Sequence, residues 1–297
     1  MNVSLRHLLA AVALLAPLAP ALAQTPVNEH HALSSGGRVE INNVAGSVTV
    51  RGWDRNEVQL TGTLGEGQRL DVQSSANRVQ LKVVYPQNGH NSRGAVLELR
   101  VPRGSELQAG TVSASLDVAD VDLRRLQAST VSGGITANGQ AGESSLNTVS
   151  GSIRSQLRTS RLELRSVSGG ISAAGTSGGE VSANSVSGRL DLDLSAVQRL
   201  NAETVSGSLG VRSAGLQPGG RISLQTVSGS IALTLPARTS AQLKVSSFSG
   251  SIRSDVGEVE RPRYGPGSHL DARIGGGDGD ISINSHSGSV RVNLGAR

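Results

Sequence analysis

Thr148-Val149-Ser150-Gly151-Ser152-Ile153 opens a stretch that closes on Arg161-Leu162-Glu163-Leu164-Arg165, and the next residue begins the same motif again as Ser166-Val167-Ser168-Gly169-Gly170-Ile171. The unit Thr/Ser-Val-Ser-Gly-x-Ile/Leu also starts at Thr130, Ser185, Thr204 and Thr226, with variants at Thr111, Ser247 and Ser285. From Thr111 onward the starts are 19, 18, 18, 19, 19, 22, 21 and 38 residues apart, the last being two periods or one coil with a long insertion. A fainter copy, Asn43-Val44-Ala45-Gly46-Ser47-Val48, lies upstream. A recurring period of this size marks a stacked-repeat architecture.

Within one unit the hydrophobic period is two. Leu162-Glu163-Leu164-Arg165 alternates as a half-buried strand does. The Ser-Gly step breaks the alternation and turns the chain. Each unit therefore reads as two short strands, a Ser-Gly corner and a polar or Gly-containing return loop. A single coil buries too few aliphatics to offset its own ordering, so coils must share a core and a ladder of hydrogen bonds. The expectation is an all-β, parallel β-solenoid of 18–19-residue coils. Nine anchors at about 4.8 Å per rung give a rod on the order of 43 Å long. The motif's Val is expected to point inward, leaving its first and third residues on an outer hydroxyl face.

Composition agrees with a thin coil. The 297 residues include 38 Gly, no Cys and one Met, and aromatics are 1% of the chain. The apolar mass, 36%, is almost entirely Val, Leu, Ile and Ala. Without Cys there is no disulfide, zinc-thiolate, iron–sulfur or Cys-nucleophile chemistry. Formal charge is +5, and Lys82 and Lys244 are the only lysines. So small a charge on so long a chain, with no aromatic interleaving, does not point to nucleic acid.

Residues 1–23 read as a secretory signal peptide: Arg6 and His7 precede an apolar run, and Ala21-Leu22-Ala23 has the form of a cleavage site. The run is too short to span a bilayer, and no later segment is long enough, so no transmembrane segment is expected in the mature chain. Residues 24–35 are expected to be a flexible leader and 36–110 an N-terminal β cap, with Trp53 covering the end of the core. Residues 111–297 form the repeats, carrying a hairpin insertion at about 255–277, around Tyr264-Gly265-Pro266-Gly267.

Val-Ala-Gly-Ser-Val-Thr-Val-Arg-Gly-Trp-Asp at 44–54, Leu-Arg-Val-Pro-Arg-Gly at 99–104, the Thr-Val-Ser-Gly units and Ile-Gly-Gly-Gly at 274–277 resemble the putative-adhesin family of exported bacterial β-strand-repeat proteins, a domain of unknown function. The likeness covers about residues 38–294 and departs from the family pattern at Ser285-His286-Ser287. It implies a β-solenoid at the cell envelope, in some members linked to envelope stress, and no catalytic residues.

Four groups could carry chemistry. Asp191 and Asp193, in Asp-Leu-Asp-Leu, share an outer face, where paired carboxylates could bind Ca²⁺ or cleave a glycan; the alternative is a solvated face. Asp278, Asp280 and His286, with His269, could hold a metal, although Gly275-Gly276-Gly277-Asp278-Gly279-Asp280 reads equally as a turn re-entering the coil. Arg154, Arg158, Arg161 and Arg165 could form a patch for an anionic ligand such as lipid head groups. The stacked hydroxyls could order ice. No Gly-x-Ser-x-Gly elbow supports a serine hydrolase. The reading is a non-enzymatic, exported cell-envelope scaffold without cofactor, in the periplasm or at the cell surface. It would bind an envelope polymer, lipid head groups or a protein partner. A β-helix polysaccharide lyase or hydrolase is the alternative.

Overall fold

The computed structural model describes residues 24–86, 93–175, 179–263 and 266–295, so the signal-peptide segment and the insertion tip Tyr264-Gly265 lie outside the described residues. Among these there are 24 strands and no helix, hence no helix long and apolar enough to cross a membrane. The strands form one β-solenoid. Its coils pair in parallel at an offset of one repeat, because each coil offers its neighbour the same edge.

Two ladders carry the rod. In one, Thr148 is in register with Ser166, then Ser185, Thr204 and Thr226. In the other, Ile135 is in register with Ile153, Ile171, Leu190, Leu209 and Ile231. Leu162 and Leu164 from the first ladder and Ile153 and Leu157 from the second are buried in a single continuous core. Alternation places the partners of these residues, Glu163 and Arg165, outside. Charges on the first ladder alternate in sign from Arg38 to Arg199, and Arg221 then follows Arg199 directly: Arg38 pairs with Glu106, Arg125 with Glu143, Arg161 and Arg199 share Glu180, and Arg221 pairs with Asp280, all at 2.6–3.2 Å.

Both ends depart from simple chain order. Strand Gly279–Ser285 lies between Leu216–Thr226 and Ala241–Ser247, and Val290–Gly295 lies between Ser230–Pro236 and Ile252–Ser254. The final coil is thus inserted one rung inside the end, and the repeat beginning at Ser247 sits beyond it. The first coil does the same: Arg38–Asn43 lies between Arg78–Val84 and Glu106–Thr111, and Gly46–Trp53 between Ala95–Pro102 and Ser115–Thr130. The faint upstream motif is therefore a full rung, with Asn43 in register with Thr111. Antiparallel strands close each end: Arg69–Ser75 and Glu57–Leu64 at one, and Ser268–Ile274 within the insertion at the other.

Two expectations about the N-terminal end are corrected. Residues 24–35 are not a flexible leader, because Thr25–Ala32 pairs along its whole length with Glu57–Leu64 and Leu33 is buried. Trp53 does not cover the core. Its indole N–H donates to the Glu57 carbonyl at 2.8 Å, and the guanidinium carbons of Arg55 and Arg100 lie 5.1 and 5.8 Å from its ring centroid. Val27, Leu70 and Val72 pack against the core there instead.

Candidate functional site

The corner motif assigns one task to each of its four residues. The first is buried: Thr148 is 5% exposed, and its Oγ1 accepts the Gly151 N–H at 3.0 Å. The same bond joins Thr130 to Gly133, Ser166 to Gly169, Ser185 to Gly188 and Ser247 to Gly250 at 2.9–3.1 Å. The third residue ties coils together through its backbone, as when Ser150 N–H donates to the Val131 carbonyl at 2.8 Å and Ser168 N–H to that of Val149 at 2.9 Å. The fourth is Gly at every corner from Thr130 to Ser285, and Ala114 only at the Thr111 corner. A Cβ on Gly151 would stand 1.8 Å from the Gly133 carbonyl oxygen, and one on Gly169 would stand 1.7 Å from that of Gly151.

The second residue faces outward, which corrects the expectation of an inward Val. Period two runs on from Leu162 and Leu164 to Ser166, so Ser166 is inside and Val167 outside. That signal was present in the sequence; the apolar character of Val obscured it. For the same reason there is no flat outer array of paired hydroxyls to order ice, since every first-position hydroxyl from Thr111 to Ser285 is buried.

The result is a row of apolar side chains along the outside of the rod. Val44, Val112, Val131, Val149, Val167, Val186, Val205, Val227 and Phe248 are each 42–51% exposed. They are nine of the ten large hydrophobic side chains exposed among the described residues, the tenth being Val96. His286 occupies the row between Val227 and Phe248, and its ring stacks on Phe248 with centroids 4.9 Å apart and planes 6° from parallel. Ser285-His286-Ser287, where the sequence departs from the family pattern, therefore places a flat ring in the row, stacked on Phe248.

Over its last rungs the row becomes a groove of about 810 Å³, a size common for small-molecule sites. The apolar wall is Val167 to Phe248. The facing wall is the residue before each corner, including Arg165, Asn184, Glu203, Gln225 and Asn284. The insertion supplies Pro266, Gly267 and His269 at the far end. Glu203 is the one carboxylate among the described lining residues.

The Toastrack DUF4097 family matches this chain over residues 36–293. The chain belongs to that family. The Toastrack fold is shared by a crystal structure from Parabacteroides distasonis described as a putative lipid binding protein, which aligns with a TM-score of 0.53 at 15% identity over 90% of this chain and 96% of its own. One from Parabacteroides merdae, described as a putative adhesin, gives a TM-score of 0.47 at 11% identity over 90% and 96%. No curated protein matches the chain.

In this Toastrack chain the candidate residues read from sequence are dispersed. Asp280 stands at the start of strand Gly279–Ser285, paired with Arg221, and Asp278 Oδ2 accepts the Ser240 hydroxyl at 2.8 Å. His286 follows the far end of that strand, roughly 20 Å away at about 3.3 Å per residue. The proposed metal set therefore does not converge, and no group of three possible ligands occurs among the described residues. His269 and His286 both line the groove, without either aspartate.

The four arginines do not form one patch. Arg154 and Arg158 project from Ile153–Arg158 and Arg161 and Arg165 from Arg161–Ser166, strands of different ladders. Arg161 is neutralised by Glu180 and Arg165 by Glu163, while Arg154 donates to Ser152 Oγ at 3.1 Å. Asp191 and Asp193 are exposed beside Ser172, Gly210, Ala174 and Arg212, with no second pair of carboxylates on the adjoining rungs. The most perturbed acid is elsewhere: Arg38 and Arg124 both donate to Glu106 and hold its carboxyl below the ordinary glutamate value.

Proposed function

We propose that the protein is a non-enzymatic, exported cell-envelope scaffold that binds an envelope component or partner through the groove beside its valine row. The observation that carries this reading is the concentration of exposed large hydrophobics in a single repeat position. Isolated surface hydrophobics are ordinary, whereas a contiguous apolar strip marks an interaction site. Export is supported by the character of residues 1–23. A lyase or glycosidase reading is disfavoured by the groove's single carboxylate, since glycoside cleavage uses two flanking the bond.

The test is photocrosslinking in intact cells, with a benzophenone amino acid placed at Val205 or, as control, at Val96. Crosslinks to an envelope molecule from position 205 and not 96 are expected. Absence of any adduct at 205, or equal adducts at both, refutes the reading.

A further inference from the structure

We infer that the groove takes the alkyl chain of an amphiphile whose head is uncharged and carries hydroxyl groups; this rests on the reading of the groove as the binding surface. The first argument is the state of the backbone. In the apolar wall, Val205 N–H donates to the Ser185 carbonyl and Val227 N–H to that of Thr204, both at 3.3 Å. The carbonyls of Val186, Val205 and Val227 accept from Ser206, Ser228 and Ser287, each at 2.8 Å. Across the rungs of Val186, Val205 and Val227 the wall therefore has no unpaired main-chain group, Val186 N–H donating to the Ser166 carbonyl at 3.3 Å. An extended peptide laid along it would leave its own N–H and C=O groups facing methyls, at about 1–3 kcal/mol for each one buried. An alkyl chain has no such groups.

The second argument is area. A row about 43 Å long and about 10 Å wide presents about 430 Å² per molecule, or about 860 Å² for two copies, by rung and sheet spacings. Stable interfaces bury about 1,200–2,000 Å². The row is too narrow to hold a second copy of this chain.

The third argument is charge and hydrogen bonding. Among the described lining residues Arg165 is the only Lys or Arg, and Glu163 occupies it; Arg161 and Arg199, which do not line the groove, share Glu180. What the groove does hold is orphaned oxygens. Asn184 Oδ1, Thr204 Oγ1, Thr226 Oγ1 and Ser285 Oγ are buried without a hydrogen-bond partner, and all four residues line it. In five other coils the first-position hydroxyl accepts the Gly N–H of its own corner, Ser166, Ser185 and Ser247 in the groove lining among them, so the missing hydroxyl bonds fall on the three successive rungs of Thr204, Thr226 and Ser285. A hydroxyl-bearing head at Asn184 supplies the donor. From there to Phe248 is four rungs, about 19 Å, which an extended palmitoyl chain spans. The Phe248–His286 stack and the Pro266–His269 wall close that end.

The experiment titrates residues 24–297 with 1-monopalmitoylglycerol, palmitate and an acetylated, amidated Val-Thr-Val-Thr-Val-Thr peptide, read by native mass spectrometry. One-to-one binding of the monoacylglycerol is expected, tighter than either competitor. The double variant Val186→Thr/Val205→Thr exchanges one methyl for a hydroxyl on each of two rungs and should weaken it by about tenfold, while Val96→Thr leaves it unchanged. Because Thr keeps the β-branch at exposed sites, these variants stay folded, which their circular dichroism verifies. No monoacylglycerol binding, or tighter binding of palmitate or peptide, overturns the inference. So does a dimer that Val186→Thr/Val205→Thr dissolves. If crosslinks at Val205 persist while the monoacylglycerol fails to bind, the chemistry assigned to the occupant is wrong and the groove's role stands; if the crosslinks are also absent, both fall.

Discussion

Replacing Gly169 by Ala tests the stacking of the corners, and its neighbour Gly170 provides the control. A Cβ on Gly169 would meet the Gly151 carbonyl oxygen at 1.7 Å and its carbon at 2.6 Å, whereas non-bonded heavy atoms prefer about 3.5–4.0 Å. The oxygen belongs to backbone in a pinned rung, so relief requires the two coils to part at the corner. Parting strains the Ser168 N–H to Val149 carbonyl bond, 2.9 Å, which joins the two coils. Overpacking costs about 1–3 kcal/mol, and that hydrogen bond adds about 0.5–1.5 kcal/mol. Gly169→Ala should therefore destabilise the protein by about 1.5–4.5 kcal/mol. At Gly170 the nearest atom to a new Cβ is the Arg189 carbonyl oxygen at 3.8 Å, and neither glycine has a positive φ. Gly170→Ala should be neutral, or stabilising by about 0.4–1 kcal/mol through the unfolded chain. Urea unfolding followed by far-ultraviolet circular dichroism measures both. If the two variants unfold at the same urea concentration, close approach of the corners is not what requires Gly at the fourth position.

The buried hydroxyls divide into two classes with different expected costs. Thr148→Val strands the Gly151 N–H and should cost about 1–3 kcal/mol, whereas Thr204→Val removes an oxygen with no partner and should be neutral or stabilising in the same unfolding assay. Glu106 has its folded pKa lowered by Arg38 and Arg124, so its contribution is present above the unfolded glutamate value and fades as pH falls through the folded one. Thermal unfolding of wild type and Glu106→Gln should accordingly differ at pH 7, with the difference shrinking as pH falls below the ordinary glutamate value and vanishing only once the folded-state carboxyl is protonated. Truncation after Ile274 removes an internal rung, so hydrogen exchange should show protection lost across 241–254 and 268–274 together; loss limited to the chain end would contradict the threaded order.

Much of the site was legible before the fold was seen. Leu162 and Leu164 set a parity that carries through to Ser166 inside and Val167 outside; giving hydrophobicity precedence over parity turned the row the wrong way. The charge ladder was legible in part, since Arg161 and Glu180 are one repeat apart, and that spacing already opposes an anion-binding patch. The orphaned oxygens at Thr204, Thr226 and Ser285 had no signal, because their residues and motif match those of coils in which the hydroxyl is satisfied.

The sequence by itself determined the local rules. A period near one coil, alternation within strands and a glycine at nearly every corner suffice for a parallel β-solenoid, because each follows from residues close in the chain. Only the tertiary structure decided the order of coils at the ends. Every rung offers the same parallel edge, so nothing local distinguishes Ala241–Ser247 from Gly279–Ser285 as the next neighbour of Leu216–Thr226. That choice puts His286 against Phe248 and brings the insertion over the row. The groove exists because of a long-range pairing that no stretch of the sequence spells out.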